Sequence, residues 1–374
     1  MRNRLLRRQF QASMITLRKQ RISLQNRQQD KKGKEKMKPI RMVQMGMSHE
    51  HAPYKMTAFR RFPELFEIVG ICEPDPAAFE TYASLEAFRG IPILTEEDVW
   101  RVPGLEAVAV ETEVPHLQEY ARKCIDRGLH IHLDKPGGVV FKEYERLLRQ
   151  AEAKDLVVQM GYMYRYYPTV KYCFDMVKSG KLGRIFEIDA HMCTQHPQEY
   201  RQWMEQFPGG AMYIFGCHMI DLIVYMLGMP TNVVPFNRNI MSHEMKTLDS
   251  DLAVLEYPEA TCCVRINSVE VNGFARRELV ICGTDGTIEI KPFECPSTIR
   301  QTLRPEVDAI IRTDRNHEDC SVELPIPAAD PEHRYDEQVK AFAGMVRGVE
   351  KNPFSYQHDI DVHRVTMMAC GVNP

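Results

Sequence analysis

The sequence predicts an α/β protein with two domains, a parallel nucleotide-binding sheet followed by a second domain of consecutive short strands, and three observations carry that prediction. From Ile40 onward, short apolar runs alternate with amphipathic segments, the pattern of a parallel sheet covered on both faces. The first strand ends at Gly46 and the second ends in Glu73, 27 residues later, the spacing a dinucleotide site uses. Beyond residue 184, short strands follow one another between turn signals such as Tyr257-Pro258-Glu259 and Gly283-Thr284-Asp285-Gly286.

The length of 374 residues fits two domains. Strands are expected near 40–45, 66–72, 106–110, 129–133 and 157–160, with helices near 53–62, 76–86, 115–127 and 141–154. Further strands are expected over 184–192, 231–240, 251–256, 260–269, 276–282 and 287–291, while 192–208 and 293–330 read as loops. The apolar stretch Ala211 to Met229 approaches membrane-span length. His218 and Asp221 at its centre make it a buried helix instead.

Residues 1–38 hold thirteen Lys/Arg and two acids, so the formal net charge of −3 leaves −14 for the rest of the chain. An acidic body argues against nucleic acid as the main partner. Residues 1–37 read as a basic, Gln-rich, disordered tail. Its Arg7-Arg8 pair is followed by no apolar segment, so export is not expected. The sequence reads best as starting at Met37, where Lys38-Pro39-Ile40 opens into a strand; an arm for acidic partners is the alternative. Eleven cysteines without a C-x-x-C pair read as thiols of a reducing, cytoplasmic setting.

In the loop Gly46-Met47-Ser48-His49-Glu50-His51, the second and third glycines of a G-x-G-x-x-G fingerprint are replaced by Ser48 and His51. Ser48 is small enough for a phosphate to approach the backbone, and Glu73 is placed to bind ribose hydroxyls and repel a 2′-phosphate, which favours NAD over NADP. His49 and His51 form an H-x-H pair with no third ligand evident in the sequence, so they read as polar groups near the cofactor and no metal is assigned.

Several further segments occur in a fixed order. Glu111-Thr112-Glu113-Val114-Pro115-His116 precedes a helix, and the strand His130–Leu133 runs into Asp134-Lys135-Pro136. Gly161-Tyr162-Met163-Tyr164-Arg165-Tyr166-Tyr167-Pro168, Ser179-Gly180-Lys181-Leu182-Gly183, Gly209-Gly210 with Gly216, His218 and Asp221, and Gly283-Thr284-Asp285-Gly286-Thr287 follow. This succession resembles the glucose–fructose oxidoreductase/inositol dehydrogenase (Gfo/Idh/MocA) family, with D-K-P in place of its E-K-P. The resemblance implies a Rossmann domain over 38–161 and an α/β domain with a large, mostly antiparallel sheet over 162–374. It implies an oxidoreductase that acts on a secondary hydroxyl of a sugar, polyol or related compound and assembles as a homodimer or homotetramer, with no membrane partner.

The resemblance places Gly46, Ser48, His49, Glu73, Thr112, His116, Asp134, Lys135 and Pro136 at the cofactor. Lys135 and His218 become the acid/base candidates, and Tyr164, Arg165 and Tyr213 the substrate-binding ones. Oxidation of an alcohol needs a base for the hydroxyl proton while hydride leaves carbon, and a lysine at a domain junction can serve. The family's helix presents an Asp four residues before its His, and two side chains so spaced share a helical face. Here that position is Ile214, which cannot polarise a histidine. Tyr213, Tyr164 or Cys217 then compensates, or the chain is an NAD-retaining lyase or epimerase, or a sensor without turnover. Arg165 has a second reading as a domain-junction salt bridge, and Asp221 as a group that holds its helix. His191, Cys193 and His196 with His218 are a weaker metal reading.

Overall fold

The structure, a computed structural model, describes residues 38–241, 243, 245–294, 296–311, 319–328 and 330–374, and the predicted tail over 1–37 lies outside them. The first sheet consists of β1 (Ile40–Met45), β2 (Phe66–Cys72), β3 (Ala107–Val110), β4 (His130–Leu133) and β5 (Val158–Met160). They lie in the order β2-β1-β3-β4-β5, every pair parallel. A further parallel bridge, Ile71 to Ile93, sits beside β2 as the remnant of another strand. Val108, Ala109, Val110, Ile131 and Leu133 are fully buried, as expected of strands with helices on both faces.

The helix Leu117–Asp126 buries Leu117, Ala121, Cys124 and Ile125, a stripe at intervals of three and four residues. The helix Phe141–Ala153 buries Phe141, Tyr144, Leu147, Leu148 and Ala151 in the same way. Asp75 caps the helix Pro76–Tyr82 by accepting the Ala77 N–H at 3.0 Å. Because strand order reverses between β1 and β3, their carboxyl ends leave the crevice in which open α/β sheets bind ligands.

The second sheet has eight strands: β6 (Ile185–His191), β7 (Asn232–Arg238), β8 (Ser250–Glu256), β9 (Thr261–Asn267), β10 (Glu278–Gly283), β11 (Gly286–Ile290), β12 (Ile299–Leu303) and β13 (Val322–Glu323). Their order is β13-β12-β11-β10-β6-β9-β8-β7; β6 and β9 pair in parallel and all other pairs are antiparallel. Inward-facing Ile188, Ala190, Val264, Leu279 and Ile281 are fully buried. The helices Cys217–Leu227 and Tyr356–Ala369 pack against this face.

The stretch Ala211 to Met229 is indeed buried helix, a π-helical turn Met212–Gly216 running into Cys217–Leu227. Among the described residues no helix is long and apolar enough to cross a membrane. The expected loops hold regular structure: 192–208 contains the helix Gln198–Trp203, and 293–330 contains β12, the helix Arg304–Ile311 and β13. The ten described cysteines are free thiols.

Candidate functional site

The site is built at the carboxyl ends of β1, β3 and β4. Gly46 turns the chain with φ +102°, and a Cβ there would lie 2.3 Å from the Thr112 nitrogen and 2.4 Å from the Glu111 carbonyl. Glycine is therefore required for β1 to leave the sheet against β3. The N–H groups of Met47 and Ser48 donate to Glu73 Oε2 at 2.5 and 3.1 Å, and Asp75 N–H donates to Oε1 at 3.0 Å. Successive backbone donors here hold a carboxylate, the same kind of anionic oxygen that a dinucleotide offers. The loop thus fixes the acid at the end of β2, the group that a dinucleotide site uses at the ribose, despite its missing glycines.

Met47, Ser48 and His49 line a cleft of about 450 Å³ together with Glu113, Lys135 and Ile214. The Thr112 hydroxyl is buried with no protein partner, while His116 is exposed at the start of the helix Leu117–Asp126. The helix Gln198–Trp203 reaches this cleft from the second sheet's side, where Tyr200 donates to Glu50 at 2.8 Å and Trp203 to Glu113 at 3.3 Å.

Asp134, Lys135 and Pro136 are all buried just beyond β4. Lys135 is 4% exposed. Its Nζ donates to the Ile214 carbonyl at 3.0 Å and stands 5.5 Å from the Phe215 ring centre. Its backbone N–H donates to Asp134 Oδ1 at 2.6 Å. Gly161 leaves space for that carboxylate: a Cβ there would lie 2.4 Å from Oδ1.

Around Asp134 lies a buried polar cluster that sequence reasoning missed apart from its histidines. His49 Nδ1 and His51 Nδ1 each stand 3.0 Å from Asp134 Oδ2. Lys55, fully buried, donates to His132 Nε2 at 2.7 Å and to Glu111 Oε1 at 3.4 Å. His132 Nδ1–H donates to Gln159 Oε1 at 2.8 Å, which fixes the tautomer that accepts from Lys55. Burial, reinforced by Lys55, lowers His132 to about 3. Burial raises Glu111 well above the usual carboxylate range, and the neighbouring Asp134 adds to the rise. Burial opposes ionisation of Asp134 too, but His49, Lys55 and His51 together hold it well below that range. The sequence signal for Lys55 was a lysine on the inner face of an otherwise apolar helix.

Several candidates do not reach the cleft. His218 is 3% exposed, with Tyr164 and Tyr162 edge-on at ring distances of 4.9 and 5.7 Å and no partner for its Nδ1. Burial, then Lys135, holds it well below the ordinary imidazole range. Ile214 and His218 were expected to share a face. The turn Met212–Gly216 is wound with i→i+5 bonding, and of the two residues Ile214 lines the cleft while His218 does not. Of the two acid/base candidates, only Lys135 lines the cleft.

Tyr213 is fully buried and donates to the Gly138 carbonyl. Tyr164 donates to Glu294 at 2.5 Å, and Arg277 and Arg334 hold the same carboxylate at 2.6 and 3.2 Å. Arg165 makes a buried salt bridge within the second domain: Nη2 reaches Asp221 and Asp359 at 2.6 Å each, Nε reaches Asp221 at 2.9 and 3.0 Å, and the guanidinium covers Phe354 at 4.1 Å. Each polar group of Tyr164, Arg165 and Tyr213 has a buried protein partner, and none of the three lines the cleft. Cys217 is buried, its thiol pushed up to about 12 by burial. His191 pairs with Glu278 at 3.0 Å, His196 stacks on Phe215, and these do not converge with Cys193 or His218 on a metal position.

Residues 40–162 match the model of an oxidoreductase family with an NAD-binding Rossmann fold, and residues 170–289 match the GFO/IDH/MocA C-terminal domain. The chain is 24% identical over 262 residues to an uncharacterised oxidoreductase of Schizosaccharomyces pombe, covering 68% of this chain and 69% of that one. It is 26% identical over 168 residues to scyllo-inositol 2-dehydrogenase (NADP(+)) of Bacillus subtilis, covering 43% of this chain and less than half, 45%, of that protein. A 3-ketoreductase from Actinomadura kijaniata, solved with NADP and TDP-benzene, shares the fold with a TM-score of 0.71 at 18% identity, covering 90% of this chain and 98% of that one.

Proposed function

The chain belongs to the Gfo/Idh/MocA oxidoreductase family, and from that premise we propose that it is an NAD-dependent dehydrogenase acting on a secondary hydroxyl of a sugar, polyol or related compound. One observation carries the proposal: Lys135 Nζ lies buried in the wall of the same cleft as the loop Met47–Glu50, anchored to the Ile214 carbonyl. The cofactor, when bound, supplies the hydride acceptor. The Glu73 carboxylate, held in place by the N–H groups of Met47 and Ser48, orients it through the ribose hydroxyls. Lys135 exchanges its carbonyl partner for the substrate hydroxyl and takes that proton at Nζ as hydride leaves carbon. Trp203 and Tyr200 shield the cleft from water on the far side.

Glu73 supports NAD over NADP because its carboxylate would face a 2′-phosphate with like charge. The outward face of the second sheet, where Leu252, Val254, Cys263 and Val280 are half-buried, supports assembly into a dimer or tetramer.

The test is turnover. Lys135→Met is expected to leave NADH binding within threefold of wild type and to lower kcat on any substrate found in a polyol and sugar screen by about 100-fold or more. Unchanged turnover would overturn the proposal. A second reading, a nucleotide or sugar sensor without turnover, is favoured by Ile214, which puts a methyl-bearing side chain beside Lys135 where the family has a carboxylate. It gains if cofactor binds and no compound is oxidised.

A further inference from the structure

We propose that His49, His51 and Asp134 form a binding site for a divalent metal ion of the zinc or cobalt type, opening onto the cleft. The site does not depend on the activity proposed above. The two histidines come from the loop that enters the helix Ala52–Arg60, and Asp134 from the end of β4, 83 residues away from His51. The fold supplies the third ligand that the H-x-H pair lacks in the sequence. Both Nδ1 atoms stand 3.0 Å from the same Asp134 oxygen, and the three ligand atoms lie within 4.8 Å of one another. Ligands placed about 2.0–2.2 Å from a shared ion are separated by comparable distances.

Hydrogen bonding alone does not satisfy this arrangement. The backbone N–H of His51 donates to His49 Nδ1 at 3.2 Å, while the same nitrogen faces Asp134 Oδ2 at 3.0 Å. A proton on Nδ1 would oppose the His51 N–H; a lone pair there opposes the carboxylate oxygen. Each tautomer of His49 thus leaves one repulsive contact, and a cation at Nδ1 removes the one with the carboxylate once the His51 N–H turns away from that nitrogen's single lone pair. The nearest ammonium does not fill that role. Lys55 Nζ is 3.9 Å from Oδ2, beyond hydrogen-bond reach, and is engaged by His132 and Glu111.

The surroundings orient the ligands as outer groups do in metal sites. Lys135 N–H holds Asp134 Oδ1, which leaves Oδ2 turned to the histidines. His49 also lines the cleft, so an ion there has an entry path and room for a further ligand. Two imidazoles and one carboxylate suit zinc or cobalt better than calcium or magnesium, which prefer all-oxygen shells.

The experiment uses the full chain, purified without a polyhistidine tag, stripped with chelator and titrated with Co²⁺ while visible absorption is followed, with bound Zn²⁺ measured by mass spectrometry after dialysis. About one equivalent is expected, and His51→Gln and Asp134→Asn should each weaken binding about 100-fold or more. Circular dichroism and urea unfolding show whether each variant is folded, and His51→Gln, at a half-buried position, serves if Asp134→Asn is not. Less than 0.2 equivalents in the wild-type protein, or wild-type affinity in folded His51→Gln, would overturn the proposal.

Discussion

Replacing Glu73 by glutamine tests the cofactor reading through one charge. Glu73 Oε2 accepts from Met47 and Ser48 at 2.5 and 3.1 Å, and Oε1 from Asp75 at 3.0 Å, so the side chain is fixed at the edge of the cofactor loop. Glutamine keeps the shape and one acceptor, and the lost charge-assisted bonding is expected to weaken NADH by about 1 kcal/mol, roughly fivefold. For NADPH the sign reverses. A 2′-phosphate placed where Glu73 meets the ribose would stand about 5 Å from the carboxylate, and at an effective dielectric of about 20–40 each like-charge pair costs about 2–3 kcal/mol. Removing it should tighten NADPH by about 30–150-fold. The ratio of the NADPH to the NADH dissociation constant, read by nicotinamide fluorescence at fixed ionic strength, should therefore fall by about two to three orders of magnitude. A ratio that moves less than threefold in a folded variant would refute the placement of Glu73 at the ribose.

Two further outcomes concern stability. Asp221→Ala strips the buried Arg165 guanidinium of its bidentate partner and leaves only Asp359, so urea unfolding should show a loss of about 3–5 kcal/mol; a loss under 1 kcal/mol would mean the triad is not needed. The second outcome turns on pH. His132, lowered to about 3, stays neutral in the folded state while its unfolded form takes a proton below about 6.5. The unfolded state then binds more protons, so this residue's contribution to stability is present above pH 6.5 and is lost as pH falls toward 3, at up to about 1.4 kcal/mol per pH unit. The slope of urea midpoint against pH between 6 and 4 should be shallower in His132→Asn, and an unchanged slope would contradict a neutral His132.

The two sheets were legible because their signals are local. The alternation Ile185–His191 and the apolar run Ala107–Val110 show one-faced and two-faced burial within a few residues. β12 and β13 were not legible: Ile-Arg-Gln-Thr-Leu has polar residues over its centre, and a strand of two residues has no period. In the site, Gly46 and Glu73 were readable from spacing along the chain, and Lys135 from the family resemblance of Asp134-Lys135-Pro136. The partners of the other groups were not, since Arg165 meets Asp359 from 194 residues away and His51 meets Asp134 from 83. Tyr213 looked available for substrate only because nothing local reveals that the Gly138 carbonyl occupies it. The π-helical winding of Met212–Gly216 was not legible either, since an unbroken apolar run carries no mark of where i→i+5 bonding begins.

That turn also bears on how such a protein diverges. Loss of one codon between Met212 and Gly216 would restore regular winding and rotate the side chains preceding the deletion by about 100° relative to Cys217–Leu227. A different residue would then meet Lys135 while both sheets kept their sequences. Indels at this point are a short mutational path between chemistries on an unchanged scaffold, one that comparison by substitution alone would overlook.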